Sequence, residues 1–70
     1  MPIILAPIDV ELTITKIAAD GKLKKHLESL GITVNSKIKV LSQVNGSVIV
    51  LLKKGRLALD KNVAVKIFVA

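Results

Sequence analysis

The spacing of hydrophobic positions changes from a strand period to a helix period early in the chain. Val10, Leu12 and Ile14 alternate with polar residues, which predicts a half-buried first strand. After Gly21 the period lengthens, and a short basic helix is predicted to end at Gly31. Its apolar residues recur at i, i+4 and i+7, which places them on one face; they are Leu23, Leu27 and Leu30. Asp20 precedes the helix and can cap its first amides.

A β-hairpin is the strongest short-range prediction. Two apolar runs, Lys37–Val44 and Ser47–Lys53, flank Asn45-Gly46, and a two-residue Asn-Gly loop favours a type I′ turn. A further turn is predicted earlier, at Asn35-Ser36. With regular pairing, the hairpin turn would place four pairs on one face: Val44 with Ser47, Ser42 with Ile49, Val40 with Leu51, and Ile38 with Lys53.

Both faces of this hairpin are substantially apolar. We predict that Ile38, Val40, Ile49 and Leu51 face the core. The opposite face would then be an outward apolar stripe ringed by lysines, and two interpretations of it stay open. The helix or the N-terminal residues cover it, or it contacts a partner or a second copy of the chain. The candidate partner-binding residues are Leu41, Val48, Val50 and Leu52.

The rest of the chain predicts two more short strands. Arg56–Asp60 is expected to form a strand with Leu57 and Leu59 inward. Asp60 to Val63 should form a tight turn or one 3₁₀ turn, capped by Asp60. A last strand is predicted where Val65, Ile67 and Val69 alternate with Lys66 and Phe68. Several short strands with frequent turns indicate a small barrel or sandwich. We predict one domain over residues 1–70, in which residues 1–8 form an edge strand, a dimer arm or a disordered tail.

Composition and charge exclude several classes of protein. The chain has no cysteine, which excludes disulfides and thiolate metal sites. The net charge of +6 is compatible with nucleic-acid binding. The basic residues are spread, however, and Phe68 is the only aromatic residue, whereas single-strand binders stack bases on aromatic side chains. No apolar run approaches the ~20 residues that a membrane span needs, and the first eight residues do not resemble a signal peptide. We therefore expect a cytoplasmic protein.

The candidate chemistry is sparse. None of the five acidic residues forms a spaced pair with a nucleophile or base, and no glycine-rich phosphate loop occurs. His26 could join Glu28 or Asp20 in a weak metal site, but ligands on one short helix rarely converge. A neutral surface histidine is the favoured interpretation. We predict no catalytic residues, no cofactor, no dedicated metal site and no enzymatic activity.

Four segments in this order resemble a known family. They are Leu23–Ile32 with its Leu-Gly-Ile ending, Ile38-Lys39-Val40, Gly55-Arg56-Leu57-Ala58-Leu59, and Ala64–Val69. From about Asp9 to the C-terminus, the chain is similar to the ferrous iron transport protein A (FeoA-like) family. It departs from the family pattern at Val34-Asn35-Ser36, where Pro-Gly is frequent, and at Lys53, where an inward apolar residue is common.

The resemblance implies a mainly β fold, an SH3-like barrel of about five strands with one short helix after the first strand. In the family alternation, Ile49 and Leu51 point inward. The resemblance also implies a non-enzymatic accessory of ferrous iron uptake. Its partner would be the cytosolic part of the membrane ferrous iron transporter, which carries a GTPase domain. Two other uses remain open: a basic nucleic-acid-binding or transcription-regulator module, and self-association through the apolar stripe.

Overall fold

The computed structural model describes all 70 residues and contains one antiparallel sheet of five strands in the order β4-β3-β2-β1-β5. The predicted mainly β fold, with one helix after the first strand, is confirmed. The strands are β1 (Glu11–Ile17), β2 (Lys37–Val44), β3 (Ser47–Leu52), β4 (Gly55–Leu59) and β5 (Ile67–Val69). The helices are α1 (Gly21–Ser29) and the single turn α2 (Lys61–Ala64), and a 3₁₀ turn spans Ile3–Leu5.

Helix α1 begins and ends as its sequence predicts. The Asp20 carboxylate accepts a hydrogen bond from the Leu23 amide at 2.9 Å, which satisfies one free donor of the first turn. At the other end, the Gly31 amide donates to Glu28 and the Ile32 amide to Leu27. Gly31 has φ +95°, so this is the Schellman arrangement that glycine favours. Leu27 and Ile32 are buried in the same core cluster, which fixes the helix to the barrel.

We expect Asp20→Ala to lower the free energy of unfolding by about 1 kcal/mol, because the Leu23 amide loses its only side-chain acceptor. Urea denaturation followed by circular dichroism measures the change. Asp20→Asn is the matched control, since asparagine also caps helices. Equal stability of the alanine variant and the wild type would contradict the capping role.

The hairpin of β2 and β3 contains a β-bulge that the regular register did not include. The pairing of Val44 with Ser47 and of Ser42 with Ile49 is confirmed. Beyond the bulge at Leu41, however, Val40 pairs with Val50 and Lys39 with Leu51. The predicted pairs of Val40 with Leu51 and Ile38 with Lys53 are therefore wrong. The extra residue shifts β2 by one position, and a one-residue shift reverses the face of every later side chain.

The bulge changes which hairpin side chains form the core. Ile38 and Val40 are buried as predicted, whereas Ile49 and Leu51 are 43% and 37% exposed. The prediction that those two residues face the core is wrong, as is the orientation that the family resemblance implied for them. The side chains that replace them in the core are Val48, Val50 and Leu52, with exposures of 1%, 0% and 7%.

The turn after β3 explains the unusual Lys53. It comprises Lys53 and Lys54, because Leu52 pairs with Gly55. Lys53 is exposed in this turn and occupies no inward position. The later segments follow the predictions more closely. In β4, Leu59 is buried and Leu57 half-buried.

The connection from β4 to β5 is helical. Asp60 caps α2 through the Val63 amide at 3.0 Å, so the predicted cap is present on an α-helical turn rather than on a 3₁₀ turn. Two valines do not lie in the strands in which they were predicted. Val65 and Val10 are 40% and 45% exposed and lie outside the strands that were predicted to contain them.

The N-terminal residues pack along the sheet. Met1 exchanges two backbone hydrogen bonds with Val69, both of 2.7 Å, and Pro2 bridges to Phe68. Ile3 is fully buried. Farther along, the Asp9 amide donates to the carbonyl of Val40, next to the bulge. Met1 and Pro2 therefore lie on the outer edge of β5, whereas Ile8 and Asp9 lie beside Val40 of β2. A small β domain gains buried area from such a segment.

Candidate functional site

The most distinctive surface is the side of β2, β3 and β4, together with the start of β1, that faces away from the core. Its side chains lie in two rows across the strands, as the register defines them. One row runs Glu11, Lys39, Leu51 and Arg56. The other runs Ser42, Ile49 and Ala58. We call these seven residues the outer face.

The outer face combines exposed apolar side chains with positive charge. Ile49, Leu51 and Ala58 are exposed and adjacent. Lys39 and Arg56 flank Leu51 from the neighbouring strands, and Lys53 extends the rim. Isolated exposed apolar residues are ordinary, but an adjacent set rimmed by polar residues is typical of interaction sites.

A shallow groove continues from this face toward the end of helix α1. Its volume is about 550 Å³. Three lysines line it, whereas Glu11 is the only carboxylate among its lining residues. Lys37 is held in place because its ammonium donates to the Thr13 hydroxyl at 2.9 Å. The groove thus adds to the positive rim; its three lysines are Lys37, Lys39 and Lys53.

The four residues predicted to bind a partner do not form an exposed stripe. Leu41 is half-buried at the bulge, and the other three lie in the core. The predicted outward orientation of those three is therefore wrong, because the bulge at Leu41 reverses the faces of the hairpin. The three buried residues are Val48, Val50 and Leu52.

The sequence contained a signal for this change. Apolar residues of β2 alternate at Ile38 and Val40, but the apolar Leu41 and the polar Ser42 break this alternation. A local break of this kind is compatible with an inserted residue in the strand. The predicted partner of Ile38 was Lys53, which was a second indication of the wrong register. Continuing the observed register brings Ile38 to the level of Leu52.

The described side chains hold no constellation suited to a metal ion. No three His, Asp or Glu side chains come together. His26 is exposed on α1 and lies near Asp20 in a small depression. All buried side chains are hydrophobic. Neither helix has the length and apolar character of a membrane-crossing helix.

Comparison with solved structures places this geometry among small SH3-like β domains. A crystal structure of an iron uptake regulatory protein (FeoA) superposes with a TM-score of 0.88 at 21% identity, covering 99% of this chain and 93% of that one. A manganese-dependent transcriptional repressor also superposes with a TM-score of 0.88 at 22% identity. The present chain covers 40% of that repressor. At sequence identities of 21% and 22%, these superpositions show a shared fold and nothing further.

The family follows from the sequence comparisons. The model of the FeoA domain matches residues 1–70. A relative from Methanocaldococcus jannaschii, "Putative Fe(2+) transport protein A", is 35% identical over 68 residues, or 97% of this chain and 83% of the relative. The chain belongs to the FeoA family, and the predicted family resemblance is confirmed. The names of these relatives describe iron transport and regulation, and none describes an enzyme.

Proposed function

We propose that this protein is a non-enzymatic accessory of ferrous iron uptake that binds the cytosolic part of the membrane ferrous iron transporter. The observation that carries the proposal is its membership of the FeoA family along the whole chain, with 35% identity to a relative named for Fe(2+) transport. The absence of clustered ligands or buried polar groups is compatible with a binding role.

The outer face is the surface that we assign to this contact. Its apolar centre, Ile49 and Leu51, can be buried against a partner. The flanking Lys39 and Arg56 favour acidic groups on the partner around that centre. This assignment replaces the stripe predicted from regular pairing, since three of its four residues are buried. The partner surface should therefore be apolar with an acidic rim.

The direct test is calorimetric titration of the protein into the purified cytosolic part of its own organism's ferrous iron transporter, at low and moderate salt. We expect binding at both salt concentrations and weaker binding at the higher one, because salt screens the charged rim but leaves the apolar contact. Undetectable binding at both concentrations would contradict the proposal. Unchanged ferrous iron uptake after deletion of the gene under iron scarcity would also contradict it.

A nucleic-acid module is the alternative function. The net charge of +6 and the lysines of the groove favour it. The same titration with duplex DNA decides between the two. Binding through phosphates should fall steeply with salt, because each neutralised phosphate releases counterions. DNA binding that exceeds binding to the transporter at moderate salt would reverse our order of preference.

A further inference from the structure

The two edges of the sheet differ in how their backbone groups are satisfied. Along β5, Met1 and Pro2 act as an additional strand segment. Strand β4 pairs with β3 alone, and none of its residues takes part in any other backbone hydrogen bond. An open edge invites pairing with another chain, and proteins commonly cover it. This chain covers one edge with its own N-terminus and leaves the other open.

The turn between β3 and β4 determines which groups point out from the open edge. The two-residue turn Lys53-Lys54 closes on the pair Leu52 and Gly55. In an antiparallel ladder, hydrogen-bonded and non-hydrogen-bonded pairs alternate from that closing pair. The backbone N–H and C=O groups of Arg56 and Ala58 are therefore directed away from β3. Both residues are exposed.

We propose that the β4 edge binds an extended, acidic segment of the partner protein as a sixth strand; this inference rests on the proposed function. The Arg56 and Ala58 backbone groups would give the main-chain hydrogen bonds. On the outer face, an acidic side chain of the added strand would lie beside Arg56. A large apolar side chain could cross the small Ala58 to cover Ile49. On the inner face, the half-buried Leu57 would gain an apolar neighbour.

Charge favours an acidic partner over a second copy of this chain. Each copy carries a net charge of +6. In an antiparallel pairing of two β4 edges, the second copy would also bring its Arg56 to the same outer face. Like charges at such short distances oppose pairing. Arg56 thus discourages self-association and selects an acidic strand.

Amide hydrogen exchange, followed by NMR with and without the transporter's cytosolic part, tests the inference on the unmodified protein. In the complex, exchange at the Arg56 and Ala58 amides should slow by about tenfold or more, since new hydrogen bonds protect them. The Leu57 and Leu59 amides, which face β3, are the internal reference.

The outcomes distinguish failure of the inference alone from failure of the proposed function. If the transporter part binds but the Arg56 and Ala58 amides exchange as before, the inference is overturned and the proposed function stands. If it does not bind, both are overturned. Protection of these amides that rises with protein concentration in the absence of any partner would identify a second copy as the occupant and overturn the acidic strand.

Two variants test the edge and its charge. Ala58→Pro removes the outward N–H, and proline is tolerated where a strand edge faces solvent; we expect a folded protein with affinity reduced by about tenfold or more. Ala58→Ser retains the N–H and adds only one hydroxyl oxygen, so the difference in affinity between the two variants measures the loss of the N–H. Arg56→Glu should weaken binding by a similar factor, whereas Lys22→Glu on the exposed side of α1 should not. Full affinity in a folded Ala58→Pro variant would overturn the inference.

Discussion

Replacing Val50 with aspartate is expected to unfold the domain. Val50 is completely buried in β3, where it pairs with Val40 on one side and Leu57 on the other. A carboxylate at this position would be surrounded by hydrocarbon, because every buried side chain of the domain is hydrophobic. Burying an unpaired charge costs several kcal/mol, whereas a domain of this size is stabilised by only about 3–5 kcal/mol. The variant should show neither a cooperative thermal transition nor dispersed amide resonances.

Val44→Asp is the matched control for this prediction. It makes the same chemical change in the same hairpin, at a side chain that is 67% exposed. Under the regular register, Val44 would share the face of the core residues Ile38 and Val40. The bulge at Leu41 instead leaves it outside. A folded Val50→Asp variant together with an unfolded Val44→Asp variant would show that the faces are assigned the wrong way round.

Replacing Leu51 with glutamate is expected to weaken transporter binding strongly while the domain stays folded. The side chain is already 37% exposed, and the new carboxylate would lie between Lys39 and Arg56, its cross-strand partners. Opposite charges in such pairs are favourable, so the fold should tolerate the change. Binding should weaken by about 30-fold or more, or ~2 kcal/mol, because a central apolar contact is lost and a negative charge meets an acidic partner.

Calorimetry measures this loss, and the thermal transition measures the fold. Leu5→Glu is the control, since Leu5 is 70% exposed in the N-terminal 3₁₀ turn and lies outside the outer face. We expect it to bind like the wild type. Equal affinity of both variants would remove the outer face from the proposed contact. An equal loss of affinity in both variants would indicate that an added negative charge weakens binding wherever it is placed.

One inserted residue in β2 decides which side chains of the hairpin lie on the outer face and which lie in the core. The segment Ser47–Leu52 is apolar at five of its six positions, so its own composition does not indicate which side is buried. Pairing with β2 decides which side of β3 is buried. Since Val40 is fixed inward and Ser42 pairs outward with Ile49, Leu41 must absorb the extra residue as a bulge. The interaction surface that regular alternation predicted is consequently the core, and the predicted core residues of β3 form the surface.

The local sequence determined much of this protein. The Asn-Gly turn, the Asp20 cap, the glycine end of α1 and the strand segments were all predictable, because each depends on residues close in sequence. The FeoA family was also recognisable from its ordered segments. Only the tertiary structure decided the register beyond Leu41, the covering of the β5 edge by Met1 and Pro2, and the open edge of β4. Those features depend on pairing between distant segments, in which backbone hydrogen bonding is nearly indifferent to side-chain identity and a shift of one residue reverses the exposed face.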